Sequence, residues 1–259
     1  MVDNLSCRNE SKQSHGVLDM PLVEFTAHEA TVHRAIVVSF DLADFSDFLN
    51  QPETAVAAAS PQLVKRVFDL LNAVFSDTEE SSWTLIVGTN EKKLPAPNVN
   101  KFTGDGAVMI WVRPTGEDFP QDFCNLLVQS FRDFQRELRS RLPLWEKEWR
   151  ISRLPRQARV GIATGIVYAL RPPHTVTWLT APRDFIGYCI NLAVRLQDYC
   201  PELGFLVHGH LHPELPGMEL SEAAPMKGTQ VEPVAFFRED ASRVPVAEFG
   251  RKFRPRHTI

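Results

Sequence analysis

The sequence predicts an α+β fold, one domain in which helices cover an antiparallel sheet. Three observations carry that expectation. Apolar runs of strand length alternate with segments whose apolar residues recur every three or four positions. Asp105-Gly106 stands between strand-like runs, where an Asp-Gly pair reads as a tight hairpin turn. The order of elements is β-α-β-β-α-β with additions, and no internal repeat interrupts it.

Taken in order, residues 1 to about 20 are polar and aperiodic and predict a tail. Residues 35–41, Ala-Ile-Val-Val-Ser-Phe-Asp, predict a buried first strand that ends in a carboxylate, and a polar-aromatic turn follows at 42–46. Residues 61–75 carry Leu63, Val64, Val67, Phe68, Leu71, Val74 and Phe75, the stripe of an amphipathic helix. Strand-like runs come next at 83–88 and 107–112. Between them, the Lys-, Pro- and Asn-rich stretch 90–98 predicts a surface loop. Phe123, Leu127, Phe131, Phe134 and Leu138 mark a second helix. A strand at 159–170, a Pro-Pro break, a strand at 174–179 and a helix at 186–199 follow. The chain closes with a strand at 204–207, a His-, Pro- and Glu-rich loop, and a strand at 232–237. The expected division is a polar tail over 1–33, the domain over 34–238 and a basic, solvated tail over 239–259.

With 259 residues the chain can bury a substantial core, and its 44% hydrophobic and 23% charged residues are those of a soluble globular protein. A formal charge of -4 gives no global case for nucleic-acid binding. Cys7, Cys124, Cys189 and Cys200 show no metal-ligand spacing, so a reduced, cytoplasmic protein is the simplest reading. No stretch approaches the ~20 apolar residues of a membrane span, and no membrane partner is expected.

The chemistry concentrates in three segments. Asp41 at a strand tip and Asp105 in a hairpin turn are placed to share divalent cations, as two-metal phosphoryl-transfer sites require. The third segment runs from Asp184 to Arg195. Asn191 and Arg195, four apart, project from one helix face, where an amide can orient a sugar oxygen and a guanidinium can fork onto phosphate. His208-x-His210-x-His212 could line three imidazoles along a strand. Pro213 follows at once, however, and no carboxylate or cysteine is arranged with them, so a solvated loop is expected.

Six motifs in order, Phe40-Asp41, Lys101-x-x-Gly104-Asp105, 160–165 (Val-Gly-Ile-Ala-Thr-Gly), Asp184-x-x-Gly187, Asn191-x-x-x-Arg195 and Met226-Lys227-Gly228, resemble a class III nucleotidyl cyclase domain over roughly 34–238. The resemblance implies a ferredoxin-like cyclase fold and a role for each position. Asp41 and Asp105 bind two divalent metals, Mn²⁺ or Mg²⁺, with the Leu42 carbonyl as a further ligand, and the amides after Asp41 cradle phosphates. Lys101 and Asp184 face the base, and Lys227 holds the triphosphate. Asn191 orients the ribose and Arg195 stabilises charge developing at the α-phosphate. The 3′-hydroxyl then attacks the α-phosphate and expels pyrophosphate, which asks for electrostatics and little covalent chemistry. The resemblance also implies a head-to-tail homodimer, with the metal aspartates from one subunit and the Asn191/Arg195 face from the other.

A cyclase-like module that binds without catalysis would lack a metal aspartate or the arginine, and this chain has all three. A diguanylate synthase would carry a GG(D/E)EF-like turn where this chain reads Gly-Asp-Gly-Ala. The base is open on residues alone. Lys101 as donor and Asp184 as acceptor suit adenine through N1 and N6, or uracil through O4 and N3–H. The stretch 184–193 is similar to the pyrimidine cyclases of bacterial anti-phage defence (the Pycsar type), and the bulky Phe102 beside Lys101 is expected to narrow the pocket unless strand alternation turns it into the core. UTP is therefore the expected substrate and cyclic UMP the product, with ATP and cyclic AMP the alternative.

Overall fold

Alternation along one long strand sets the layout. β1 (Thr31–Leu42) sends Ile36, Val38, Phe40 and Leu42 into one core and Ala35 and Val37 into a second, so helices must cover both faces of the sheet. The computed structural model describes residues 31–51, 54–75, 93–151, 153–170, 184–226 and 230–255. In it, β1 pairs antiparallel with β3 (Ala107–Pro114) on one side and with β4 (Ala158–Leu170) on the other. β2 (Val99–Phe102) forms a hairpin with β3, and β6 (Phe205–His208) lies parallel to β4. β8 (Glu232–Phe237), β7 (Met218–Ala223) and β9 (Phe253–Pro255) continue the sheet by antiparallel pairing. The order is β2-β3-β1-β4-β6-β8-β7-β9, and β5 (Asp184–Ile186) pairs with the far end of β4. The α+β expectation of a mostly antiparallel sheet under helices holds.

After the short α1 (Phe45–Leu49), α2 (Thr54–Asn72) and α3 (Gln121–Trp149) cover the first face. Leu63, Val67 and Leu71 of the one and Leu127, Phe131, Phe134 and Leu138 of the other close over Phe40 and Trp111. α4 (Tyr188–Tyr199) covers the second face with Cys189, Leu192, Ala193 and Leu196. Gly161 decides how closely α4 lies on β4. A Cβ there would stand 2.0 Å from the Ala193 carbonyl oxygen and 2.5 Å from the Gln197 nitrogen, so only glycine admits the helix backbone.

Several elements differ from the sequence expectation. β1 begins at Thr31, so the tail expected over 1–33 gives up its last three residues to the sheet, and the rest of it lies outside the described residues. The strands expected at 83–88 and 174–179 also lie outside them. α2 starts seven residues before Pro61, on an alanine-rich stretch of high helix propensity, and carries the proline inside. The loop expected after β6 contains β7, a strand whose apolar alternation is too sparse to stand out. The basic tail expected from 239 is folded through Pro255. α5 (Arg238–Ala241) and α6 (Val246–Lys252) lead into β9, where Phe253 is buried against Tyr199, Phe236 and Phe249. Asp240 of α5 is wholly buried, paired with the equally buried Arg132 of α3 at 2.7 Å. Breaking such a pair leaves an uncompensated buried charge, a cost of about 3–5 kcal/mol that ties this end of the chain to the core.

Candidate active site

Sheet register brings the two predicted carboxylates together. Phe40 faces Ala107 across β1 and β3, which puts Asp41 level with Gly106, one residue from Asp105. The turn closes with the Thr103 amide donating to the Gly106 carbonyl at 3.0 Å. Gly106 lies so close to β1 that a Cβ would meet the Phe40 carbonyl oxygen at 1.9 Å and the Asp41 Cα at 2.7 Å. That contact also shows the Phe40 carbonyl facing β3, and backbone alternation gives the Leu42 carbonyl the same side. Burial pushes the Asp105 carboxyl up, and the neighbouring Asp41 pushes it further, while Arg159 opposes both.

Arg159 is a residue that the sequence reading missed. It sits opposite Asp41 in the β1–β4 register and forks onto it, Nε donating to Oδ1 at 2.8 Å and Nη2 to Oδ2. Its Nη1 stands 3.3 Å from Asp198 of α4. The bonds to Asp41 hold its guanidinium pKa above the ordinary value. Nothing local announces this cluster, because 118 residues separate the paired side chains. The one signal was a cation on an otherwise apolar strand.

Lys101 and Asp184, also predicted, meet at 2.5 Å, and Asp184 Oδ1 also accepts the Phe185 amide at 2.7 Å. Phe102 does not narrow this place. Alternation turns it to the opposite face, where its ring packs edge-on against Phe68 of α2 at 5.4 Å, and it stays 60% exposed. The pocket-size argument for a pyrimidine therefore falls.

Asn191 and Arg195 share one face of α4, as their spacing predicts. That face looks away from the sheet, since Cys189, Leu192, Ala193, Leu196 and Gln197 are the buried positions and Asn191 is exposed. Asp198, three residues after Arg195, ends the same face and reaches Arg159. Tyr188, three residues before Asn191, shares the face; its hydroxyl donates to Glu232 Oε1 at 2.5 Å, and burial, then Glu232, pushes its pKa up to about 12. Ile186, Tyr188 and Val194, 38–53% exposed, leave apolar surface beside Arg195.

Lys227 lies outside the described residues. Of the three histidines only His208 departs from the expected solvated loop, since His210 and His212 are exposed. His208 is buried at the end of β6, 3.5 Å from Glu232, and burial, then His210, lowers its pKa. His210 lies in a short 3-10 turn, its ring tilted against that of His208 with 4.6 Å between ring centroids. Among the described residues no three His, Cys, Asp or Glu side chains converge as a metal site. The oxygen donors at Asp41, Asp105 and Leu42 still suit Mg²⁺ or Mn²⁺, which take few protein ligands and complete their shell with water and phosphate. The crowded, part-buried negative charge at Asp105 is what such a cation would relieve. Cys124, Cys189 and Cys200 are free, and among the described residues no helix is long and apolar enough to cross a membrane.

No family model matches the sequence, and no curated protein matches it. Solved structures share its fold. The adenylyl cyclase CyaB from P. aeruginosa is 15% identical with a TM-score of 0.53, over 81% of this chain and 95% of that one. The guanylyl cyclase Cya2 is 13% identical with a TM-score of 0.53, over 80% and 92%. A bacterial light-regulated adenylyl cyclase is 15% identical with a TM-score of 0.56, over 82% of this chain and 53% of that one. The chain has the fold of class III cyclase catalytic domains.

Proposed function

We propose that this protein is a nucleotidyl cyclase that converts a nucleoside triphosphate, UTP, into its 3′,5′-cyclic monophosphate and pyrophosphate. The observation that carries the reading is the meeting of Asp41 and Asp105 at one end of a cyclase-fold sheet, with a base-recognition pair and an Asn/Arg helix face at their family positions. Asp41, Asp105 and the Leu42 carbonyl would hold two divalent cations, whose chemistry would be to acidify the 3′-hydroxyl and offset triphosphate charge. Arg195 forks onto the α-phosphate and strengthens its hold as the equatorial oxygens gain charge. Asn191 fixes the ribose so that O3′ lies in line with the bond that breaks. The O3′–Pα bond forms, the bond to the β-phosphate breaks, the hydroxyl proton goes to solvent, and pyrophosphate leaves with its charge met by Lys227.

The site is shared between two copies of the chain. The exposure of Asn191, with Ile186, Tyr188 and Val194 also exposed, supports this, because a second copy would cover that partly apolar surface. Lys101 donates to uracil O4 and Asp184 accepts from N3–H. Adenine satisfies the same two side chains, so the UTP assignment and a role in anti-phage signalling are supported by the likeness of 184–193 to pyrimidine cyclases. Incubating the purified protein with each nucleoside triphosphate and Mn²⁺, with mass spectrometry of the products, tests the reading. Cyclic UMP as the main product is expected, cyclic AMP would move the assignment to adenylate cyclase, and no cyclic product from any of the four would sink it.

A further inference from the structure

Arg159 poses a problem for the proposed reaction. A guanidinium cannot give up its proton, and here it occupies both oxygens of Asp41, the oxygens that a cation must reach. Its side chain is only 22% exposed, so releasing it without an anionic partner leaves a poorly solvated charge. The strand that carries it cannot retreat, because β4 is paired with β1 along its whole length from Ala158 to Ala169.

A second acceptor is already in place. Asp198 follows directly on the buried Leu196 and Gln197 of α4, 3.3 Å from Nη1 of the same guanidinium. Two contacts fix that distance. Gly161 lets the α4 backbone rest on β4 at Ala193 and Gln197, and Ser39 on β1 donates to the side chain of Gln197 at 2.5 Å in the buried layer beneath. The last turn of a helix also carries partial negative charge, which favours a cation there.

We propose that Asp198 is a positioning residue that shares Arg159 with Asp41 and takes the guanidinium over when Asp41 binds metal. The inference rests on the metal-binding reading of Asp41 and Asp105. Arg159 keeps Asp41 paired before loading, and Asp198 makes its displacement inexpensive, since the guanidinium turns about its own end without leaving the cluster. Asp198 acts on the metal through Arg159 and touches neither metal nor substrate.

The test is Mn²⁺ titration of the full-length protein, with free Mn²⁺ read by electron paramagnetic resonance and no nucleotide present. Asp198→Asn should raise the Mn²⁺ dissociation constant about three- to tenfold, and Asp198→Glu should restore most of the affinity. In an Arg159→Gln background the same Asp198→Asn change should have no effect, because the shared cation is gone. Equal loss in both backgrounds would show a plain field effect of one carboxylate and overturn the proposal, as would unchanged affinity in Asp198→Asn. Mn²⁺ binding left unchanged by Asp41→Asn and by Asp105→Asn would remove the metal reading itself. Asp198 is 56% exposed, so its variants should fold, and thermal melting checks this.

Discussion

Asp41 is 15% exposed, gripped by Arg159 on a neighbouring strand, and set by register against Asp105. Lys101 and Asp184 are 48% and 53% exposed, and Asn191 stands on the outer face of its helix. Both groups belong to one proposed site, yet they are built to opposite rules. The carboxylate half is organised within the subunit by paired backbone and a charge cluster. The base-and-arginine half is laid out on the surface, where exposed ion pairs are worth little until a partner excludes water. On the proposed reading, the contrast means that the subunit preforms its ion site and leaves recognition and transition-state contacts to be desolvated on assembly.

The comparison breaks first if the carboxylate half is dispensable. Asp41→Ala or Asp105→Ala should lower turnover by more than about 100-fold with the fold intact by circular dichroism. More than a few per cent of wild-type activity at saturating Mn²⁺ would remove the assignment. A second test mixes inactive Asp41→Ala and Arg195→Ala subunits. Random pairing makes half the dimers mixed, each with one whole site, so about a quarter of wild-type activity should return. Demonstrated subunit exchange without recovery would put both halves in one chain.

The exposed half should show smaller effects. CTP presents an acceptor at N3 where Asp184 needs a donor, a mismatch of about 1–3 kcal/mol, so kcat/KM for CTP should fall roughly tenfold or more below that for UTP. An ATP value at or above the UTP value would reassign the base. The smallest effect sharpens the view of the buried half. Burial and Asp41 raise the folded pKa of Asp105 above its ordinary 3.8, so the folded state holds that proton more tightly than the unfolded chain. This contribution to stability is present below the unfolded pKa and is lost as pH rises through the raised folded value. At neutral pH without metal, Asp105→Asn should therefore melt about 1–3 °C higher, and EDTA-treated samples in differential scanning calorimetry would show it. A lower melting temperature would mean that the carboxylate is already compensated.

Much of this was legible in local sequence, and the reason is physical. Asp41, Asp105, Asn191 and Arg195 are each specified by a short-range rule, a strand tip, a turn or a helix spacing, so their element types could be read without a structure. Arg159 and Asp198 could not, since their meaning arises from a register between β1 and β4 and from a helix crossing that no window contains. The same limit hid the folded C-terminal region. Phe249 and Phe253 are two aromatics in a basic stretch, and only their contact with Phe236 and Tyr199 makes them core. Phe102 shows the reverse error, in which a neighbour in sequence was weighed as a neighbour in space.

Gly161 leaves no room for even a methyl group between β4 and the backbone of α4. Strand and helix must travel as one piece, and Ser39 bonded to Gln197 pins β1 to them. A load applied at Arg195 is therefore borne by the strand that ends in Asp41, with no slack in between. If the proposed pair assembles, the gap between arginine and carboxylates would open or shut by rotation of whole subunits, two stiff jaws about a common hinge. Whatever turns such an enzyme on has to grip the jaws, because the teeth do not move by themselves.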